Sequence, residues 1–368
     1  MKNKSGTYPL IGSQEMVRFM WKYSPHKQAT QIPCAVALDE ALDFGIMEKA
    51  VNAEISRNDC LRLRLIKRGG EIRQYFVPEY QLENIAVRDF ATEEALRNGL
   101  DAESRKALKV FNGETFRILF FNAPGGRSGV YLLVSHVIMD AMATFIFFKD
   151  LFAVYDAMKA GADLPKPLAG YEDLIKKELE DPEHAAYVKS ETDILADYVK
   201  MDCPPAYCSL KGSRRPAEKL HRPNPSMEYF PLLDKTHFSR FTLTEEESNA
   251  IRSFVTAREI SAEWVIQLGL RVCLSAINGR VNDTVFWVLC PRRRTVKEKR
   301  TGGTLASPMP WREQLPGELT FNEGLLQLAA SQNYLFRHAD VPFTDMRDNE
   351  RKLFGYNLMQ TCSSKMFS

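Results

Sequence analysis

The chain has 368 residues, more than one hydrophobic core ordinarily serves, which points to two domains or lobes. Its 45% hydrophobic and 26% charged residues are ordinary for a soluble globular protein, and its net charge of +2 excludes a dedicated nucleic-acid binder with a strongly basic face. Seven cysteines, odd in number, scattered and without a CxxC pair, fit reduced thiols in the cytoplasm better than a disulfide framework. The N-terminus is charged and has no apolar run, so no signal peptide is expected.

In chain order, residues 8–14 open the folded part and lead into a mixed apolar stretch through Trp21, with Ser13 placed to cap a short helix. Residues 32–38 read as a strand. Asp43 begins a helix whose apolar positions are Ile46, Met47, Ala50, Val51, Ala53 and Ile55. Arg62 and Arg64 then alternate as the outward side of a strand, Gly69-Gly70 makes a hairpin turn, and 71–77 is the partner strand. Residues 93–110 are helix-prone, 115–122 form a strand, and Pro124-Gly-Gly126 turns the chain back into another.

That next strand organises the chain. Residues 130–135 are apolar and β-branched, and from Met142 the apolar residues Phe145, Phe148, Leu151, Phe152, Tyr155 and Met158 recur at helical steps. The window 129–148 has the length of a membrane span, but it holds His136 and Asp140 and changes period between them, so it reads as strand plus helix with no span. Asp140 is typed as the helix N-cap. His136 is a titratable imidazole at a strand end, and such a residue is more often a hydrogen-bonded core histidine than a catalyst. His26, His184, His221, His237 and His338 show no spacing that would complete a metal site, so no metal is expected.

Beyond the helix, 171–180 and 183–199 read as polar helices, and the proline-rich stretch 203–234 is a crossing between lobes. The second lobe opens with a strand over 237–243. A capping box at Thr244 and Glu247 starts one helix, Ser261 starts the next, and 283–289 is a buried strand. The basic run from Arg292 to Arg300 reads as a solvated loop, with an anion site such as a pantetheine phosphate as the functional alternative.

Ser135-His136-Val137-Ile138-Met139-Asp140-Ala141 resembles HHxxxDG. That motif marks the condensation domains of nonribosomal peptide synthetases and their acyltransferase relatives with the chloramphenicol-acetyltransferase-like fold. The second His and the Asp are kept, while Ser135 and Ala141 replace the first His and the Gly. Tyr8, Pro9, Leu10 and Gln14 match the family's opening segment, and Arg57, Leu61 and Arg62 match its RHExLRTxF-like element. Ser307 to Arg312 stands where the family has Asn-x-x-Pro-x-Arg, with Ser307 for the Asn. His338-Ala-Asp340-Val-Pro342-Phe343 follows its His-x-Asp-x-Pro-Phe, read as packing, with His338 capping a helix and Phe343 filling a core.

The resemblance implies an α/β fold of two chloramphenicol-acetyltransferase-like sandwich lobes in a V-shaped pseudo-dimer, with His136 in the tunnel between them. The expected division is an N-terminal lobe over 1–200, a crossing over 201–236 and a C-terminal lobe over 237–368, shorter than in relatives. It implies His136 as the catalytic residue, acting as general base or orienting the acceptor, Asp140 and Arg62 as a structural pair holding the His loop, and Ser135, Ala141 and Ser307 at the substrate. The donor would be a phosphopantetheine-linked acyl or aminoacyl group on a carrier protein, the acceptor a small amine or alcohol, with no cofactor bound tightly. Two alternatives stand beside this condensation-type acyltransferase: an acyl-CoA-dependent alcohol or wax-ester-type O-acyltransferase, and a non-catalytic scaffold that binds carrier proteins. A cysteine nucleophile such as Cys60 or Cys290 has no support beyond the presence of thiols.

Overall fold

Strand β7 (Arg127–Ser135) is buried along almost its whole length and lies inside a sheet rather than at its edge. A computed structural model of the chain describes residues 6–24, 26–199, 240–354 and 366–367. The chain divides into two compact units.

In the first unit, β1 (Tyr8–Pro9) and helix α1 (Gly12–Tyr23) lead to β2 (Gln31–Leu38) and α2 (Phe44–Arg57). Asp43 caps α2 as expected, its carboxylate accepting from the N–H groups of Gly45 and Ile46. The helix α1 differs from expectation. Ile11 occupies its N-cap position, and the Gln14 side chain accepts from the Ile11 N–H at 3.0 Å. Ser13 lies inside the first turn, where its hydroxyl donates to the Thr304 carbonyl at 2.8 Å.

A hairpin of β3 (Leu63–Arg68) and β4 (Glu71–Phe76) follows. Its turn residues Gly69 and Gly70 have φ of 60° and 83°, the left-handed pair that the expected turn requires. Then come β5 (Val87–Asp89), α3 (Glu93–Ser104), β6 (Phe116–Ala123), β7 (Arg127–Ser135), α4 (Ala141–Ala160) and α5 (Tyr171–Glu180). The helix α3 stops at Ser104, short of the 93–110 expected. The order β2-β7-β6-β5 makes one sheet and β1-β4-β3 a smaller one. Register runs from Gln31 opposite Ser135 to Leu38 opposite Ser128, so β2 carries the chain directly alongside the strand that ends at the His loop.

Helix α4 packs against α2 and β2, and buries Ala143, Phe147, Phe148, Leu151, Val154 and Tyr155. Phe145, expected on this face, is 63% exposed. Both Phe145 and Phe147 lie in an unbroken apolar run, but Phe145 stands four residues before Lys149 and eleven before Asp156, on the face that these exposed charged residues mark.

The boundary between units falls within α6 (Pro182–Val199). The second unit holds α7 (Glu245–Thr256), α8 (Ala262–Ile277), β8 (Asp283–Cys290), β9 (Ser307–Gln314), α9 (Phe321–Arg337), α10 (Phe343–Phe354) and β10 (Met366–Phe367), with sheet order β10-β8-β9. Thr244 and Glu247 form the expected capping box of α7, and Ser261 caps α8. The Arg271 guanidinium fills the core between Phe286 and Trp311, donating to the carbonyls of Thr284 and Trp311 at 3.1 Å each. The expected strand over 237–243 finds no counterpart at residues 240–243, which carry no regular structure; 237–239 and the crossing 201–236 lie outside the described residues.

One segment departs from the expected division. Pro291–Ala306 belongs to the first unit, although the chain enters it from β8 and leaves it into β9, both in the second. Its polar groups are satisfied by first-unit residues, as the site shows.

Candidate active site

Both backbone polar groups of His136 are tied down. The His136 N–H donates to the Thr30 carbonyl at 2.8 Å, and the His136 carbonyl accepts the Thr304 hydroxyl at 2.6 Å. The Gln14 amide, itself held by Gln74, donates to the Val137 carbonyl at 2.9 Å. The loop is therefore fixed from three sides: the start of β2, helix α1, and the 291–306 segment. His136 itself is partly exposed, and its Nδ1 is sealed from solvent with no hydrogen-bond partner.

Asp140 is 1% exposed and saturated. Its Oδ1 accepts from the Ala143 N–H at 2.7 Å, which caps α4, and from Arg293 Nη2 at 3.0 Å. Its Oδ2 accepts from Arg293 at 3.2 Å and from the N–H groups of Leu305 and Ala306 at 2.9 and 3.0 Å. A carboxylate so enclosed has no lone pair left for a substrate. Its work is to join the start of α4 to the 291–306 segment.

The expected partner of Asp140 was Arg62, and the structure corrects this. Arg62 ends a 3₁₀ turn over Asp59–Arg62 and spends its guanidinium on the carbonyls of Ile55 (3.2 Å), Val77 (3.1 Å) and Pro78 (2.8 Å). It fastens the entry to β3 against the exit from β4. Arg293 takes the role instead, and also donates to the carbonyls of Glu298, Thr301 and Gly303. The basic run is accordingly neither a solvated loop nor an open anion site where it matters. Arg292, at φ 51°, is buried and paired with Glu178 at 3.2 Å, Arg293 is buried on Asp140, and Arg300 donates to the carbonyls of Lys166 and Pro167.

Close approach of backbone explains the glycines in this segment. A Cβ on Gly302 would stand 2.1 Å from the Asn58 side chain, and one on Gly303 2.0 Å from the Tyr171 ring. The Tyr171 hydroxyl donates to the Thr304 carbonyl at 2.8 Å, on the same carbonyl that Ser13 reaches. Cys60 Sγ donates to the Gly302 carbonyl at 3.0 Å. Burial pushes this thiol well above its ordinary range, with the carboxylates of Asp59 and Glu54 adding to the shift, so Cys60 is a packed donor and not a nucleophile.

Of the residues singled out in the sequence, Ser135, His136, Asp140 and Ala141 come together in one loop of the first unit. Ala141 is the exposed first residue of α4 and needs no left-handed backbone, so alanine serves there as well as glycine. The Ser135 hydroxyl is buried without a partner. Ser307 opens β9 in the second unit, opposite Cys290, and its hydroxyl is likewise buried without a partner. His338 ends α9 and its Nδ1 pairs with Glu191, while Phe343 is fully buried against Trp287, which is the packing role expected of that segment. Arg293, Thr304 and Gln14 were missed as holders of the loop. The Thr301-Gly-Gly-Thr304 sequence was the available signal, since paired glycines between hydroxyl residues mark a close backbone approach. Among the described residues, no cluster of His, Cys, Asp and Glu could hold a metal, and no helix is long and apolar enough to cross a membrane.

Comparison with known proteins bears on this arrangement. The chain is 25% identical to surfactin synthase subunit 1 of Bacillus subtilis (strain 168) over 94% of its own length and 10% of that protein. It is 22% identical to surfactin synthase subunit 2 of the same organism, over 94% of its length and 9% of that protein. The chain thus spans a tenth or less of these two curated relatives. Among solved structures it is similar, at a TM-score of 0.79 and 15% identity, to the starter condensation domain of rhizomide synthetase in complex with C8-CoA and Leu-SNAC, covering 98% of this chain and 78% of that one. It is also similar, at 0.76 and 16%, to the first condensation domain of the calcium-dependent antibiotic synthetase, covering 98% and 80%. These likenesses establish the chloramphenicol-acetyltransferase-like α/β fold. The Condensation domain family model matches residues 4–192, just over half of the chain, and the chain belongs to the condensation-domain family.

Proposed function

We propose that this condensation domain transfers an acyl or aminoacyl group from a pantetheine thioester on a carrier protein to an amine or hydroxyl acceptor, as a step in natural-product assembly. His136 carries the reaction. Its Nδ1 is buried and unpartnered, which leaves Nε2 as the nitrogen that exchanges a proton with substrate. The acceptor N–H or O–H proton passes to that nitrogen as the nucleophile attacks the thioester carbon. The C–S bond then breaks, the thiolate takes the proton, and an amide or ester leaves with free pantetheine thiol. Asp140 and Arg293 hold the loop for this work without touching the reacting atoms. Ser135, Ala141 and Ser307 are proposed to border the substrates.

The observation that carries the reading is a loop fastened at the His136 N–H, the His136 carbonyl and the Val137 carbonyl, around a ring whose Nδ1 is left unpartnered. That is preorganisation of a base, not of a core histidine, which would be hydrogen-bonded. A second reading, a CoA-linked donor, is favoured by likeness to a starter condensation domain solved with C8-CoA.

The test is a panel of acyl-carrier, aminoacyl-carrier and acyl-CoA thioesters offered with amine and alcohol acceptors, read as thiol release and product mass. Turnover with carrier thioesters alone supports the first reading, and turnover with CoA thioesters alone the second. Carrier binding with no turnover on any donor would instead favour the non-catalytic scaffold.

A further inference from the structure

A groove of about 870 Å³ opens within the first unit, between α1, the β3–β4 hairpin and the chain around 108–111. Its size is that of a small-molecule site. Leu10, Trp21, Leu108 and Val110 line it, each at most 8% exposed, together with Phe111. Ser135 also lines it, 1% exposed, with its hydroxyl oxygen sealed from solvent.

The charges around the opening are biased. Lys22, Lys67 and Lys109 are exposed, and the Lys67 ammonium lies 4.5 Å from the centre of the Phe111 ring. Arg18 is paired with Glu15, Lys27 donates to the backbone carbonyls of Trp21 and Ser24, and Glu71 lies 3.8 Å from Arg73. Cations thus outnumber carboxylates in the lining. The groove therefore offers a positive rim and an apolar wall.

We propose that this groove binds an amphipathic anion: a carboxylate or phosphate held at the lysine rim, and an apolar stem along Trp21 and Val110 that runs toward Ser135. The bound molecule touches the residue directly before His136. Occupancy thereby reaches the loop that carries the reaction from within the first unit.

The experiment is isothermal titration calorimetry of the full chain with decanoate, decyl phosphate and decyltrimethylammonium, all below their micelle concentrations. The expected result is one site per chain for the anions and none for the cation, weakened by raising the ionic strength. Decanoate against decyl phosphate distinguishes the two head groups. Lys67→Glu and Lys109→Glu, both at exposed positions, each weaken the anions about tenfold. Equal binding of the cation, or anion affinity unchanged by both charge reversals and by salt, overturns the proposal. Binding is read without turnover, so the result stands apart from whether the chain transfers acyl groups.

Discussion

Arg293 Nη2 donates to both carboxylate oxygens of Asp140, at 3.0 and 3.2 Å, across 153 residues of sequence. The pair joins the first turn of α4 to the segment 291–306, and the His136 loop lies between them. Breaking such a pair by removing one member leaves a buried charge uncompensated. Arg293→Met is expected to cost about 3–5 kcal/mol of stability in urea denaturation. Arg293→Lys restores little, because one ammonium does not reach the Asp140 carboxylate and the carbonyls of Glu298, Thr301 and Gly303 together. Arg62→Met, which strips only backbone carbonyls of a donor, costs less and leaves the Asp140 network intact.

Gly303 is a second place where the segment's seating is exposed to test. Alanine there drives a methyl to 2.0 Å from the Tyr171 ring, whose hydroxyl is bonded and whose side chain is fully buried, so the ring has nowhere to move. Gly303→Ala is expected to lose about 1–3 kcal/mol by overpacking. Gly317→Ala, with open space around its Cβ, serves as the neutral control. Thermal denaturation of the two variants side by side checks this.

Glu54 gives the first unit a pH dependence of definite sign. It is fully buried in α2, and burial first, then the neighbouring Asp150 carboxyl, push it well above the ordinary 4.5, with Arg57 opposing. The folded chain therefore keeps a proton that the unfolded chain releases above pH 4.5. Its contribution to stability is greatest below that value and is lost as pH rises toward the raised one. Subtracting the stability–pH profile of Glu54→Gln from that of the wild type isolates the slope, and a flat difference would refute the assignment.

Thiol chemistry separates the cysteines. Cys60 is buried with a raised pKa, whereas Cys273 is exposed. Native chain treated with iodoacetamide at mildly alkaline pH is expected to label Cys273 and spare Cys60, as read by peptide mass mapping. Cys60→Ala is expected to retain transfer, since no step passes through that sulfur.

Local signals were legible in the sequence and long-range choices were not. Asp43, Asp140, Ser261 and the Thr244–Glu247 box declared their helix starts because capping needs only neighbours a few residues away. The Gly69-Gly70 turn was equally local. The partner of Asp140 was not, because several arginines are chemically competent and only tertiary packing selects among them. For the same reason the basic run looked solvated, although Arg292 and Arg293 are buried in pairs. Phe145 was placed inside because it sits in an apolar run, although exposed Lys149 and Asp156, four and eleven residues on, mark its face as outward. The motif named His136 and the paired glycines before Thr304 marked a close approach, yet nothing in the spacing pointed to Gln14 as a residue that holds the loop.

The most direct test of the account is the single-turnover rate of acyl transfer with the best thioester donor, wild type against His136→Ala. Both proteins are first shown to bind that donor equally. Loss of rate by more than about a hundredfold, the usual reach of a general base, is the predicted result. Equal rates in the two proteins would contradict it and remove His136 from the chemistry.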